Sequence, residues 1–256
     1  MKIAKIEQFR PKPRTRLVKI TTDTGIVGWG ETTLEGKPKS TWGAVEELSD
    51  YLIGQDPLRI EHHWQFMYRY SHFRGAAIMG ALSAIDIALW DIAGQHYQCP
   101  IYELMGGKVR NRARAYCHAY GTTQTDLVQS VVKAKSAGFT AVGHVNPFLD
   151  ESRSLPYFKT QAAKIGEAID CIGECREAVA DELDLCVEVH RRLTPTEAVQ
   201  FCLGIEEYRP MFVEDPVTPD NFDEMEYIAS KVNVPLATGE RFTSMWEFAM
   251  LLLLEK

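Results

Sequence analysis

Leu183-Asp184-Leu185-Cys186-Val187-Glu188-Val189-His190 reads as a short strand that ends in an acid and an imidazole, and helical spacing follows over residues 195–207. The same pairing of an apolar strand with an amphipathic helix recurs on both sides of it. Strands are expected near 113–119, 141–145, 183–189, 211–214 and 236–238, with helices near 126–137, 163–180, 195–207 and 221–231. Such alternation calls for a parallel sheet, because a helix is the usual crossover between parallel strands. The sheet is then either doubly wound or closed as a barrel. Five units are visible where closure needs eight, and a last helix near 245–254 runs to the chain end.

Before residue 112 the rhythm is different. Residues 16–22 alternate apolar and polar, Asp23-Thr24-Gly25 supplies a turn, and 26–31 alternate again, which is a hairpin. Helical spacing follows at 41–53, 57–70 and 77–95, and Gly106-Gly107 marks a boundary. The expected organisation is an α+β domain over 1–110 and a partial (β/α) barrel over 111–256.

Composition narrows the function. The 256 residues are 45% hydrophobic and 25% charged, as in ordinary globular proteins, with a net charge of -7. A nucleic-acid partner would call for a basic stripe, so that class is set aside, whereas a small anionic substrate is not. Six cysteines are unevenly spaced with no CxxC pair. Cys171 and Cys175 are neighbours on a helix, but buried reduced thiols are the expected state. The N-terminus lacks the apolar region of a signal peptide. The longest apolar stretch, 76–94, carries Asp86 and Asp91, so it is expected to be a buried helix rather than a membrane span. A cytoplasmic protein is expected. No Gly-rich phosphate loop stands at a strand-to-helix turn.

Glu188, Glu214 and Glu240 recur at an interval of 26 residues, each near the end of an expected strand. That interval is expected to bring them to one depth at the face where barrel enzymes carry their chemistry. Three anions in a low-dielectric site repel unless a cation lies between them. Oxygen-only donors favour magnesium, then manganese. The bland alternative is that these glutamates pair with Arg191, Arg192 and Arg241. Period-two alternation is expected to set His190 on the same side as Glu188, as a general acid or base.

These residues resemble the enolase superfamily, in its mandelate racemase and muconate-lactonizing group and that group's acid-sugar dehydratases. The segments that carry the resemblance are Gly25-Ile26-Val27-Gly28-Trp29-Gly30-Glu31, Ala84-Ile85-Asp86-Ile87-Ala88-Leu89-Trp90-Asp91 and Glu188-Val189-His190-Arg191-Arg192-Leu193-Thr194-Pro195. Phe212-Val213-Glu214-Asp215-Pro216 and Ala237-Thr238-Gly239-Glu240-Arg241 complete the set. The resemblance implies abstraction of the proton α to a carboxylate, with magnesium stabilising the enediolate. It implies that His190 helps a β-hydroxyl leave as water from a galactonate-, gluconate- or mannonate-type acid, giving a 2-keto-3-deoxy acid. The first domain then corresponds to the family's capping domain, with residues 10–16 and 71–76 closing over the sugar. His118, His144, Asn146, Glu35 and Arg241 become candidate substrate contacts. His118 and His144 are equally readable as strand-end polar residues, and Glu35 as a solvated loop residue. A homo-oligomer of the full-length form is implied as well.

Four departures qualify what is implied. The first ligand is glutamate where many relatives carry aspartate. His144-Val145-Asn146 stands where many carry a catalytic lysine. Strand units six to eight, with the family's second histidine, are not in the sequence, which suggests C-terminal truncation. The final helix is strongly apolar. A racemase or cycloisomerase, or a sugar-acid-binding fragment without catalysis, are the alternatives.

Overall fold

The computed structural model describes residues 1–13, 15–70, 72–149 and 159–253. Arg14 and Ser71, in the two stretches read as covering the sugar, and Leu254 of the final helix lie outside them. The chain divides into two compact units, Met1–Arg112 and Ala113–Lys256.

In the first unit β1 (Ile3–Phe9), β2 (Leu17–Thr22) and β3 (Val27–Glu31) form an antiparallel sheet in that order. α1 (Pro38–Leu52), α2 (Ile60–Arg69), α3 (Ala76–Tyr97) and the short α4 (Ile101–Leu104) follow. β2 and β3 are the expected hairpin, with Val18, Ile20 and Thr22 on its buried face. β1 has no counterpart in the sequence reading. Its pairing with β2 shifts between Ile3 and Lys5, so buried Ile3 and half-buried Ile6 are out of period two.

Gly28 and Gly30 let α3 lie directly on β3. A Cβ at Gly28 would stand 2.1 Å from the Ala88 carbonyl oxygen, and one at Gly30 would stand 1.8 Å from that of Ala84. α3 also caps the free edge of β3. Asp91 Oδ2 accepts the Trp29 amide at 2.9 Å, and Gln95 Nε2 donates to the Val27 carbonyl at 2.6 Å. By length and composition α3 would cross a membrane, but Leu82, Ile85, Leu89 and Ile92 are buried in the unit's core.

In the second unit the order is β4 (Cys117–His118), α5 (Gln124–Ser136), β5 (Ala141–Val145), α6 (Gln161–Val179), β6 (Asp184–Glu188), α7 (Pro195–Ile205), β7 (Phe212–Glu214), α8 (Phe222–Ala229), β8 (Leu236–Ala237) and α9 (Met245–Leu253). All four strand pairings are parallel, and spatial order equals chain order from β4 to β8. A doubly wound sheet reverses direction at a switch point, so unreversed order is the winding of a barrel, here incomplete among the described residues. The fold is thus α/β, an antiparallel α+β unit followed by a partial barrel.

Local signals agree with the winding. Thr123 and Asp126 make a capping box at the start of α5, as do Thr194 and Glu197 at α7, where Pro195 takes a first-turn position. Leu127, Val142, Ile172, Val187, Phe201 and Val213 are fully buried between helices and sheet. The first strand is much shorter than 113–119. There Arg114 reaches across to Thr140 and Asp184 with its side chain instead of joining the ladder.

Candidate active site at the strand ends

Register decides which side chains meet. β6 and β7 pair Glu188 with Glu214, so the two carboxylates lie side by side at the carboxyl ends of neighbouring strands. β7 and β8 pair Glu214 with Ala237. Glu240 therefore stands three residues past the matching position, exposed, in the turn that opens at Gly239. Equal sequence spacing did not become equal depth, because the step from β7 to β8 is shorter than that from β6 to β7.

Arg191 accounts for Glu240. Its guanidinium pairs closely with the Glu240 carboxylate and at 3.1 Å with Asp215 Oδ2. Asp215 is buried, and its other oxygen accepts from Thr238 Oγ1 at 2.7 Å. The pairing foreseen as the bland alternative thus exists for Glu240. Arg241 is exposed and makes no ion pair with Glu188 or Glu214 among the described residues.

Glu188 is the buried centre of the cluster. Burial, then the charge of Glu214, with Asp215 and Glu240 beyond, holds its carboxyl well above the usual range. The His190 amide, donating to Glu188 Oε1 at 2.9 Å, works against this. Glu214 is also raised, by burial first and then by Asp215 and Glu240, while a side-chain hydrogen bond from Glu188 lowers it. Burial and mutual repulsion thus oppose ionisation of both acids. Such a donor set fits a hard divalent ion, which would relieve the repulsion.

His190 lies beside Glu188 by a different route from strand alternation. β6 ends at Glu188, and His190 adopts a left-handed backbone (φ 55°) that returns its Nε2 to 3.8 Å from Glu188 Oε1. Burial, Arg191 and Arg192 depress its pKa. His144 has a similar backbone (φ 58°), at the irregularity in the pairing of β5 with β6. Burial, then His190 and His118, push it down to about 4. Side chains of His144, Glu188 and His190 offer ligand atoms that all lie within 4.8 Å of one another. This mixed nitrogen–oxygen group, and not the three glutamates, is the tightest set of metal donors among the described residues. Asn146 Nδ2 lies 3.4 Å from His190 Nδ1, and its Oδ1 accepts from the Phe148 amide.

His118 joins the site through ring contacts. Its imidazole is 5.3 Å from that of His144 and nearly parallel to it, and His144 in turn is 4.7 Å from His190. Tyr116 and Tyr120, not singled out by the sequence reading, flank it at 5.8 Å each. Period two from His118 was the available signal. Gly143 leaves room for the Tyr116 ring, where a Cβ would stand 2.2 Å from it. Glu35 lies in the first unit, exposed in the turn between β3 and α1.

A parallel, singly wound α/β unit with acids and imidazoles at its strand ends, preceded by an antiparallel α+β unit, defines a barrel-type enzyme with a capping domain. Two family profiles match the chain: mandelate racemase / muconate lactonizing enzyme, N-terminal domain, over residues 10–106, and enolase C-terminal domain-like over 126–255. A solved structure from Mesorhizobium loti, provisionally called a dehydratase, is 33% identical with a TM-score of 0.91, covering 99% of this chain and 70% of its own. A member of the enolase superfamily from Salmonella Typhimurium is 30% identical (TM-score 0.90), with 99% and 71% covered. An enolase from Agrobacterium radiobacter, provisionally a galactarate dehydratase and solved with sodium and L-malate, is 30% identical (TM-score 0.89), with 100% and 65% covered. The chain belongs to the mandelate racemase/muconate lactonizing enzyme family of the enolase superfamily.

Proposed function

We propose that the protein takes part in the dehydration of a sugar acid of the galactonate, gluconate or mannonate type to a 2-keto-3-deoxy acid. One observation carries this reading: the in-register pair Glu188 and Glu214, starved of positive charge, with His190 at 3.8 Å from Glu188. Names given to the relatives from Mesorhizobium loti and Agrobacterium radiobacter support it.

Glu188 and Glu214 would hold magnesium, with Glu240 as third ligand once released from Arg191. The bound cation would supply the concentrated positive charge that offsets what builds up on a substrate carboxylate as its α-proton leaves. Protonated His190 would donate its proton to the β-hydroxyl, so that the carbon–oxygen bond breaks with water as the leaving group and the imidazole is left neutral. Loss of that water leaves an enol, which tautomerises to the 2-keto acid. The α-proton needs a base besides His190. Burial lowers the proton affinity of both His144 and His190, which makes a protonated His190 the readier donor.

Incubating the protein with magnesium and galactonate, gluconate, mannonate or galactarate in deuterated water, followed by NMR, tests the proposal. A 2-keto-3-deoxy product is expected, and Glu214→Gln should slow its formation about 100-fold or more while the far-UV spectrum is kept. Unchanged turnover in that variant removes the metal assignment. Deuterium entering the α-position without loss of water transfers the protein to the racemase class.

A further inference from the structure

Tyr120 has no role in the reading above, yet the structure holds it firmly. The neighbouring Ala119 is buried and its amide donates to the Gly143 carbonyl at 2.9 Å, while the Tyr120 amide donates to Ser130 Oγ on α5 at 3.2 Å. So anchored, the phenol oxygen lies 2.8 Å from His118 Nδ1, and the phenol ring packs at 4.9 Å against His144.

We propose that Tyr120 is a positioning residue that fixes His118 as a hydrogen-bond donor through Nε2, making a subsite for a hydroxyl or carboxylate oxygen of the sugar acid. The proposal rests on the sugar-acid reading of this site. Chemistry sets the direction of the bond. The phenol O–H is a good donor, and an imidazole nitrogen is a better acceptor than a phenol oxygen, so Tyr120 donates to Nδ1. A neutral imidazole has one proton on its two nitrogens, and with Nδ1 accepting, that proton sits on Nε2. Near-parallel contacts with Tyr116 (23°) and His144 (19°) hold the plane of the His118 ring. Nε2 makes no hydrogen bond among the described residues, and the His118 side chain is exposed, so the donor is free for a ligand. His144 and His190 follow His118 along the row of rings. An oxygen-rich, acceptor-bearing substrate is what such a donor recognises.

Two measurements test it. Long-range 15N–1H NMR of the protein should show the His118 proton on Nε2, and in Tyr120→Phe a mixture of both tautomers. Calorimetry with galactarate and with L-malate should show binding weakened about fivefold in Tyr120→Phe, the loss of one ordinary hydrogen bond. In turnover the same factor should fall on KM and leave kcat nearly unchanged. His118→Gln sets an amide nitrogen near the Nε2 position, so Tyr120→Phe should have no further effect in that background. A proton on Nδ1 in the parent protein overturns the proposal, as does an equal loss from Tyr120→Phe in both backgrounds. So does the expected tautomer in a protein that binds neither probe. Since the NMR reading needs no turnover, absent dehydration alone counts against the dehydratase assignment and leaves the tautomer result standing.

Discussion

At the scale of single residues, the two units use histidine in opposite ways. His63 in α2 is fully buried, with Nε2 2.8 Å from the Asp56 carbonyl and Nδ1 2.9 Å from the Tyr51 hydroxyl. Nε2 donates and Nδ1 accepts, which makes it a neutral ring in a fitted socket. Burial holds its pKa below the usual value. The unfolded chain therefore takes up the proton first as pH falls, at about 6.5. The stability that neutral His63 gives is complete above that pH and is lost progressively below it, toward the depressed folded value. Urea midpoints measured from pH 7.5 to 5 should fall with a slope from this group of no more than about 1.4 kcal/mol per pH unit. His63→Gln should remove that component of the slope. An unaltered profile in the variant would assign the pH dependence to other groups. His144 and His190, by contrast, are half-buried, sit on left-handed backbone, and point ring nitrogens at Glu188 without full sets of partners. Strained backbone with unfinished hydrogen bonding is what a ligand site looks like, where a structural histidine has neither.

Between elements, close approach separates what the sequence disclosed from what it hid. Gly28 and Gly30 were legible as part of a hairpin, but only the packing of α3 on β3 shows why a side chain is excluded there. Gly30→Ala should destabilise by about 3 kcal/mol or more, since the obstacle is the Ala84 backbone and no side chain can yield. Gly43, in α1 with nothing within 4 Å of an added Cβ, should gain about 0.5–1 kcal/mol on the same change. Denaturation curves for the pair check both signs, and a Gly30→Ala protein as stable as the parent would mean that α3 is not seated on β3 as described. The hairpin, the long buried helix and the strand–helix alternation were readable because each repeats a regular period. β1 was not, because a register shift breaks its period. The reach of Glu240 was hidden for a related reason. A spacing of 26 residues measures chain length, while depth depends on how β7 and β8 pair, and that pairing shortens the last step by three residues. Tyr116 and Tyr120 were within reach of period-two reasoning from His118, whereas the tie of Arg191 to both Asp215 and Glu240 needs the turn after β6, which no pattern announces.

For the molecule as a whole, the acid cluster makes folding and cation binding one equilibrium. In the metal-free protein the Glu188 and Glu214 carboxyls face each other, and burial opposes their ionisation. Folding must then keep a proton there that the unfolded chain would release near neutral pH, so the cluster subtracts from stability. A cation bound only by the folded state reverses that sign. At a magnesium concentration about 100 times the dissociation constant the gain is about 2.7 kcal/mol, by mass action. For a chain of this size that is a rise of roughly 5–10 °C in the unfolding midpoint. Glu188→Gln keeps the shape and removes one acid. Its metal-free midpoint should match or exceed that of the parent, because a neutral amide replaces a carboxyl that has to stay protonated, and its response to magnesium should be lost. Calorimetric scans of both proteins, in chelator and in excess magnesium, read the two effects separately. A variant that is less stable without metal yet still rises with magnesium would show Glu188 to be a structural acid, with the cation bound elsewhere.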